Sequence, residues 1–187
     1  MTTRQDIITV ARELVQTRSY PGFSFQDIAD RVGIRKASLY HHFRSKEALA
    51  EAVLKEARAD LRKALDGAAG EDIPAQLQTY FRIYRDILQA GQRVCPGGAF
   101  VPGWGIVPER LHQEVVGLAR DQARWLTSLI ERGREQAYFA HLPGPAEDVA
   151  LWIFSTLQGA LLSARASGRK ADFDRVVAQL EAALLPG

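Results

Sequence analysis

Within residues 35–46, RKASLYHHFRSK, stand Arg35, Lys36, Ser38, Tyr40, His41, His42 and Lys46, with no carboxylate among them. Guanidinium and ammonium groups neutralise phosphates, while hydroxyl, imidazole and guanidinium groups reach the hydrogen-bonding atoms of base edges. The chemistry this set suits is recognition of a polyanion. His41 and His42 are adjacent, and neighbours on a helix do not share a face, so one ring is expected to pack and the other to face outward. The pair alone makes no metal site.

Short helices must hold these groups in place. Ile7, Val10, Ala11, Leu14 and Val15 recur at helical spacing, which predicts a first helix ending near Tyr20-Pro21-Gly22. Ser24-x-x-Asp27 has the form of a capping box opening a second helix, and Gly33, free to take a positive φ, is expected to end it. A third helix is expected from about Arg35 to Phe43, and Ser45 caps a fourth whose stripe runs Leu49, Val53, Ala57, Leu61, Ala64. Ile28, Ala29, Val32, Ile34, Leu39 and Phe43 then form a small core between helices. Two helices joined at a glycine, the second opening on cations, have the layout of a helix-turn-helix DNA reader. Lys46 falls beside the amides that open the next helix, a natural seat for phosphate.

The whole chain agrees with that local reading. Its net charge is only +2, yet residues 1–47 hold eight cations against five anions, and 31–46 hold five cations and no carboxylate. A local positive face is the footprint of a polyanion binder. Apolar residues make up 47% of the 187, ample for a core, and one cysteine, Cys95, forms no internal disulfide. The N-terminus has no secretory apolar run and no stretch approaches the ~18 apolar residues that span a bilayer, so a cytoplasmic protein is expected. No P-loop, H-E-x-x-H, G-x-S-x-G or paired metal-ligand spacing occurs, which argues against an enzyme. A helical adaptor binding an acidic protein is the remaining rival.

Beyond the head, helical periodicity continues and no period-2 run interrupts it, so the fold is expected to be all-α with about nine helices. Asp72 or Ile73 caps a helix with Pro74 at its start, and further helices are expected near 75–90, 108–137, 146–167 and 172–185. Residues 91–108, GQRVCPGGAFVPGWGIVP, hold five glycines and three prolines among large apolar groups. That texture predicts an irregular connection or broken helix packed over something.

The segment DIADRVGIRKASLYHHFRSKEAL resembles the DNA-binding signature of the tetracycline-repressor (TetR) family, roughly D-I-A-x-x-A/V-G-V-S-x-x-T/S-L-Y-x-H-F-x-S-K-E-x-L. The resemblance implies a helix-turn-helix domain over 1–47 and a helical ligand-binding and dimerisation domain over 48–187. It implies Tyr40 and Lys46 as phosphate contacts, Arg35, Lys36, Ser38, His41 and His42 on the recognition face, and Ser24 among the DNA-facing residues. Arg35 departs from the family, where serine is common, so the hydroxyl cap of the third helix is missing.

The same resemblance implies a homodimer on a palindromic double-stranded operator, released by a small-molecule effector, with no cofactor and no membrane. Leu151, Phe154, Leu157, Leu161 and Leu162, interleaved with Ser155, Gly159, Ala160 and Ala164, would give the dimer face, continued by Val176, Val177, Leu180 and Leu184. The candidate effector residues are Tyr84, Cys95, Phe100, Trp104, His112, Trp125 and Trp152, with Arg124 and Gln158 as further polar groups. Cys95 precedes Pro96, and Pro96 at a first helical position would set the thiol at a helix N-terminus near Arg93, the basis of an alternative reading as an electrophile or redox sensor.

Overall fold

The computed structural model describes residues 4–91 and 93–185. Among them are eight α-helices and one 3-10 helix, and no strand. The helices are α1 (Arg4–Arg18), α2 (Phe25–Val32), α3 (Lys36–His42), α4 (Lys46–Gly67), α5 (Ile73–Gln89), the 3-10 helix (Gly98–Ile106), α6 (Glu109–Glu135), α7 (Ala146–Ser167) and α8 (Lys170–Leu184). The all-α expectation holds, and the glycine- and proline-rich stretch is a broken helix: Gly103 leaves helical geometry at φ −111°, ψ 22°.

The chain divides into two compact units. The first comprises the chain up to Asp60 together with Cys95–Leu118; the second takes Leu61–Val94 and the chain from Ala119 onward. The unit holding the head is therefore larger than residues 1–47, because the 3-10 helix and the first turns of α6 pack within it.

In the first unit Ile7, Ile8, Ala11, Leu14 and Val15 of α1 meet Ile28, Ala29, Leu39, Phe43, Leu49 and Val53, all buried. Val32 and Ile34, expected inside, are only half-buried. Burying a leucine or isoleucine of this kind contributes about 1.5–3 kcal/mol, which is what fixes three helices too short to persist alone. Ion pairs join the same elements: Arg18 to Asp27 at 2.9 Å, Arg12 to Asp60 at 2.5 Å, and Arg31 to Glu13.

The second unit packs α5 against α7 and α8, and α7 against α8. Asp72 caps α5, its carboxylate accepting from the Ala75 amide at 2.8 Å with Pro74 in the first turn. Gly133 in α6 is required by close approach, since a Cβ there would lie 2.4 Å from the Phe139 ring. Helix α7, with 22 residues, is long and apolar enough to cross a membrane by length and composition, contrary to the sequence expectation. Its inner stripe of Val149, Ile153, Leu157, Leu161 and Ala164 is buried against the unit's other helices, and a core helix meets the same criterion.

Candidate nucleic-acid interface

Helix α2 opens on the expected capping box. The Ser24 backbone N–H donates to the Asp27 carboxylate at 2.8 Å, the Ser24 hydroxyl donates to it at 2.6 Å, and the Asp27 amide donates back to that hydroxyl at 3.3 Å. Those bonds, with the Arg18 guanidinium beside them, hold the Asp27 carboxyl below the usual carboxylate range. Ser24 is exposed but its hydroxyl is committed to the cap.

At the other end Gly33 adopts φ 77°, ψ 35°, and the amides of Gly33 and Ile34 both donate to the Ala29 carbonyl, at 2.9 and 3.0 Å. That left-handed step turns the chain straight into α3. Arg35 takes the N-cap place without a side-chain hydrogen bond, so the missing hydroxyl leaves the first turn uncapped. Only Leu39 of α3 is buried.

The remaining α3 side chains form the candidate reading face. Arg35, Lys36, His41 and His42 are exposed, and none of their side chains makes a hydrogen bond or ion pair among the described residues. Both histidines face outward, against the expectation that one would pack, because a seven-residue helix has room for a single inward stripe, which Leu39 occupies. Ser38 is half-buried, its amide donating to the Arg35 carbonyl at 2.8 Å. Tyr40 is 54% exposed, with its ring 5.2 Å from Phe25. Arg31 is not part of the free positive surface, since Glu13 of α1 neutralises it.

Lys46 is held more firmly than its position in the sequence suggests. Its ammonium donates to the Phe23 carbonyl at 2.5 Å and stands 4.6 Å from the Tyr20 ring centroid and 4.3 Å from that of Phe23. Burial lowers the Lys46 pKa, with the nearby Asp27 charge opposing. Burial also raises that of Tyr20, reinforced by the negative charge of Glu47. Ser45 caps α4 as expected, accepting from the Ala48 amide at 3.1 Å. Tyr20 and Phe23 were not among the candidate residues; the signal available was two aromatic residues flanking Pro21-Gly22 just before the cap.

The candidate effector residues are divided between the two units. Cys95, Phe100, Trp104 and His112 belong to the first unit, Tyr84, Trp125 and Trp152 to the second. Trp104 and His112 do meet: their rings stack at 4.0 Å, and the two nitrogens of His112 lie 3.0 Å from the Trp104 carbonyl and 3.2 Å from Glu109. Phe100 is fully buried against Tyr20. Cys95 is buried, and the helix after it opens at Gly98, so Pro96 is not a first helical residue and the thiol does not sit at that helix's first turn.

In the second unit Tyr84 donates to Gln122 at 2.8 Å, Tyr80 donates to the same oxygen at 3.1 Å, and Trp125 stacks on Tyr80 at 5.4 Å. Gln158 donates weakly to the Tyr84 hydroxyl at 3.5 Å, whereas Arg124 pairs with Asp121 on the surface. Gln122 was missed, although it interrupts the apolar stripe Leu118, Leu126, Leu129 at helical spacing. Trp152 is 42% exposed and lines an open groove of about 720 Å³ with Arg169, Asp172 and Arg175, outside the core.

Comparison with known proteins agrees with this geometry. Residues 7–53 match the family described as bacterial regulatory proteins, tetR family. The chain is 30% identical to a TetR-family transcriptional regulator from Agrobacterium tumefaciens whose crystal structure superposes with a TM-score of 0.91, covering 97% of each chain. It is 26% identical to the HTH-type transcriptional repressor DhaR of Mycobacterium sp. (strain GP1), over 98% of this chain and 92% of that one. It is also 26% identical to the repressor NemR of Escherichia coli K12 over 83% of each. The crystal structure of E. coli NemR in its reduced form shares the fold, with a TM-score of 0.78 over 97% of each chain at 19% identity. With the capped α2, the Gly33 turn and the exposed cations of α3 lying inside the matched stretch, the chain belongs to the TetR family of transcriptional regulators, which are DNA-binding proteins and not enzymes.

Proposed function

We propose that the protein is a ligand-responsive transcriptional repressor that binds a palindromic operator as a homodimer in the cytoplasm and is released by a small apolar or aromatic molecule. The observation that carries this reading is the run of exposed, unpaired cations and imidazoles on α3, directly after a turn that only a left-handed residue makes without strain. Residues 1–47 are the reading domain and 48–187 the ligand-binding and dimerisation domain. Arg35, Lys36, Ser38, His41 and His42 face the bases, while Ser24, Tyr40 and Lys46 face the backbone.

A palindromic site needs two heads, and α7 has a face to pair them. Leu151 and Leu162 are 62% and 58% exposed, on one stripe with Ser155 and Gly159. A Cβ on Gly159 would meet nothing, which suits close approach of another helix. Of the other expected interface residues, Leu157, Ala160, Leu161, Ala164, Val177, Leu180 and Leu184 are buried within the chain and serve its core. Leu162→Glu should convert dimer to monomer by sedimentation and abolish operator binding; a stable dimer in that variant counts against this face.

The roles within the head are tested by recovering bound genomic fragments and titrating the best duplex against salt and unrelated DNA. Tyr40→Phe and Lys46→Ala should weaken binding to all sequences alike, whereas Arg35→Ala and Lys36→Ala should change sequence preference, by about 1–3 kcal/mol for a bidentate arginine on guanine. Equal losses on every DNA would defeat the division. Salt-insensitive binding without DNA preference would favour the adaptor instead.

Effector binding is supported by Trp104, which is 38% exposed and stacked on His112. An effector acts by preferring the DNA-incompetent state, so it and the operator weaken each other reciprocally. A second reading, Cys95 as an electrophile or redox sensor, is favoured by similarity to NemR, whose structure was solved in a reduced form. Cys95→Ser should then lose release from DNA by quinones, aldehydes or peroxide; unchanged release would leave the reversible-ligand reading alone.

A further inference from the structure

The Lys46 ammonium lies over two aromatic rings, Tyr20 and Phe23, whereas the Arg4 guanidinium of the same head lies over one, Phe43. Tyr20 is 8% and Phe23 4% exposed, and their rings meet edge to face with centroids 6.3 Å apart. The Tyr20 ring is not held by the head alone. Tyr20 stacks on Phe100 of the 3-10 helix at 5.4 Å and 23°, and its amide donates to the Ala99 carbonyl at 3.3 Å. Next to it, a Cβ on Gly103 would lie 2.9 Å from Pro21, so the 3-10 helix fits the α1–α2 corner at backbone distance.

We infer that Tyr20 is a positioning residue for the phosphate anchor Lys46, and that Phe100 holds Tyr20 in that place. The inference rests on the reading of Lys46 as a phosphate contact. A lysine left free in water loses its rotamer freedom when it grips a phosphate; this one loses it on folding, so the cost falls outside the binding step. One N–H is used on the Phe23 carbonyl, and the other two make no hydrogen bond among the described residues. The rings stabilise the cation without adding to the negative charge that Asp27 already places nearby. A shift of the 3-10 helix that releases Phe100 therefore frees Lys46, and the segment carrying Cys95, Phe100 and Trp104 reaches the DNA-binding surface through residues of the first unit.

The test uses the full-length protein and a fluorescein-labelled mixed-sequence duplex, with affinity measured across a salt series. Removing one phosphate contact lowers the slope of log affinity against log salt by about 0.9. Lys46→Ala should show that loss for each head, and Tyr20→Leu most of it, while Tyr20→Phe keeps the wild-type slope because the ring and not the hydroxyl holds the ammonium. The double variant Tyr20→Leu/Lys46→Ala should match Lys46→Ala alone. Phe100→Leu, which leaves Tyr20 and Lys46 untouched, should lower the slope part-way, and carries the test should Tyr20→Leu melt too low to assay. A wild-type slope in Tyr20→Leu and Phe100→Leu beside a reduced one in Lys46→Ala overturns the positioning role and spares the anchor. So do losses that add in the double variant. A wild-type slope in Lys46→Ala overturns the anchor itself, and the positioning role with it. The Lys46 εCH2 protons should resonate upfield in the wild type and return toward random-coil positions in Tyr20→Leu; unshifted protons in the wild type would count against the cage directly.

Discussion

Helix α3 and the 3-10 helix are of similar length, seven and nine residues, and belong to one compact unit, yet they carry their side chains in opposite ways. Helix α3 buries only Leu39 and turns Arg35, Lys36, His41 and His42 to water without partners. The 3-10 helix buries Phe100 completely, with Ala99 and Gly103, and fits them against Tyr20 and Pro21. One segment leaves its polar side chains open to solvent, the other packs its apolar ones against a neighbour. Phosphates and base edges require particular charges and donors, so a reading helix is spelled in residue types. A supporting segment needs only volume and close approach, which many residue combinations supply.

Substitutions in the two segments should separate these modes. The largest effect is expected from Phe100→Ala, which removes a fully buried ring and should cost about 3–5 kcal/mol, read as a lowered denaturant midpoint. A loss below about 1 kcal/mol would mean that the 3-10 helix is not seated as described. Gly33→Ala comes next. The space around it is open, so only the left-handed backbone resists, at about 1–2 kcal/mol, and Gly33→Asn should recover part of that.

Arg35→Ser probes the reading helix itself. Restoring a hydroxyl at the N-cap should stabilise the protein by about 0.5–1 kcal/mol while sequence discrimination falls; a variant both less stable and fully discriminating would show that Arg35 serves the fold. The smallest effect concerns Asp27. Its folded-state carboxyl lies below the ordinary value, so its contribution is complete above the unfolded pKa of about 3.9 and disappears as pH falls through the lowered folded value. Acid unfolding should therefore find wild type and Asp27→Asn converging as pH falls below the unfolded value of about 3.9. A gap independent of pH would assign Asp27's role to shape instead of charge.

Most of the head could be read in advance because its signals are local. A serine three residues before an aspartate, a glycine between two short apolar stripes and a serine before Lys46 each specify a hydrogen bond or φ value within four residues. The effector candidates had no such signal. Aromatic residues were gathered by type, and the folded chain distributes them between two units, with Trp152 on the outer surface and Tyr84 tied to Gln122. The five cations of 31–46 overstate the free positive surface for a related reason, since Arg31 pairs with Glu13 eighteen residues away.

The sequence by itself determined the helices, their caps and the family, because backbone hydrogen bonding and helical periodicity act over a few residues. Tertiary structure alone decided which cations remain free and that Lys46 rests on Tyr20 and Phe23. It also decided that residues near 100 support a corner formed near 20. Those are long-range pairings, and they follow from how buried rings and ion pairs fit in three dimensions, for which spacing along the chain carries no rule.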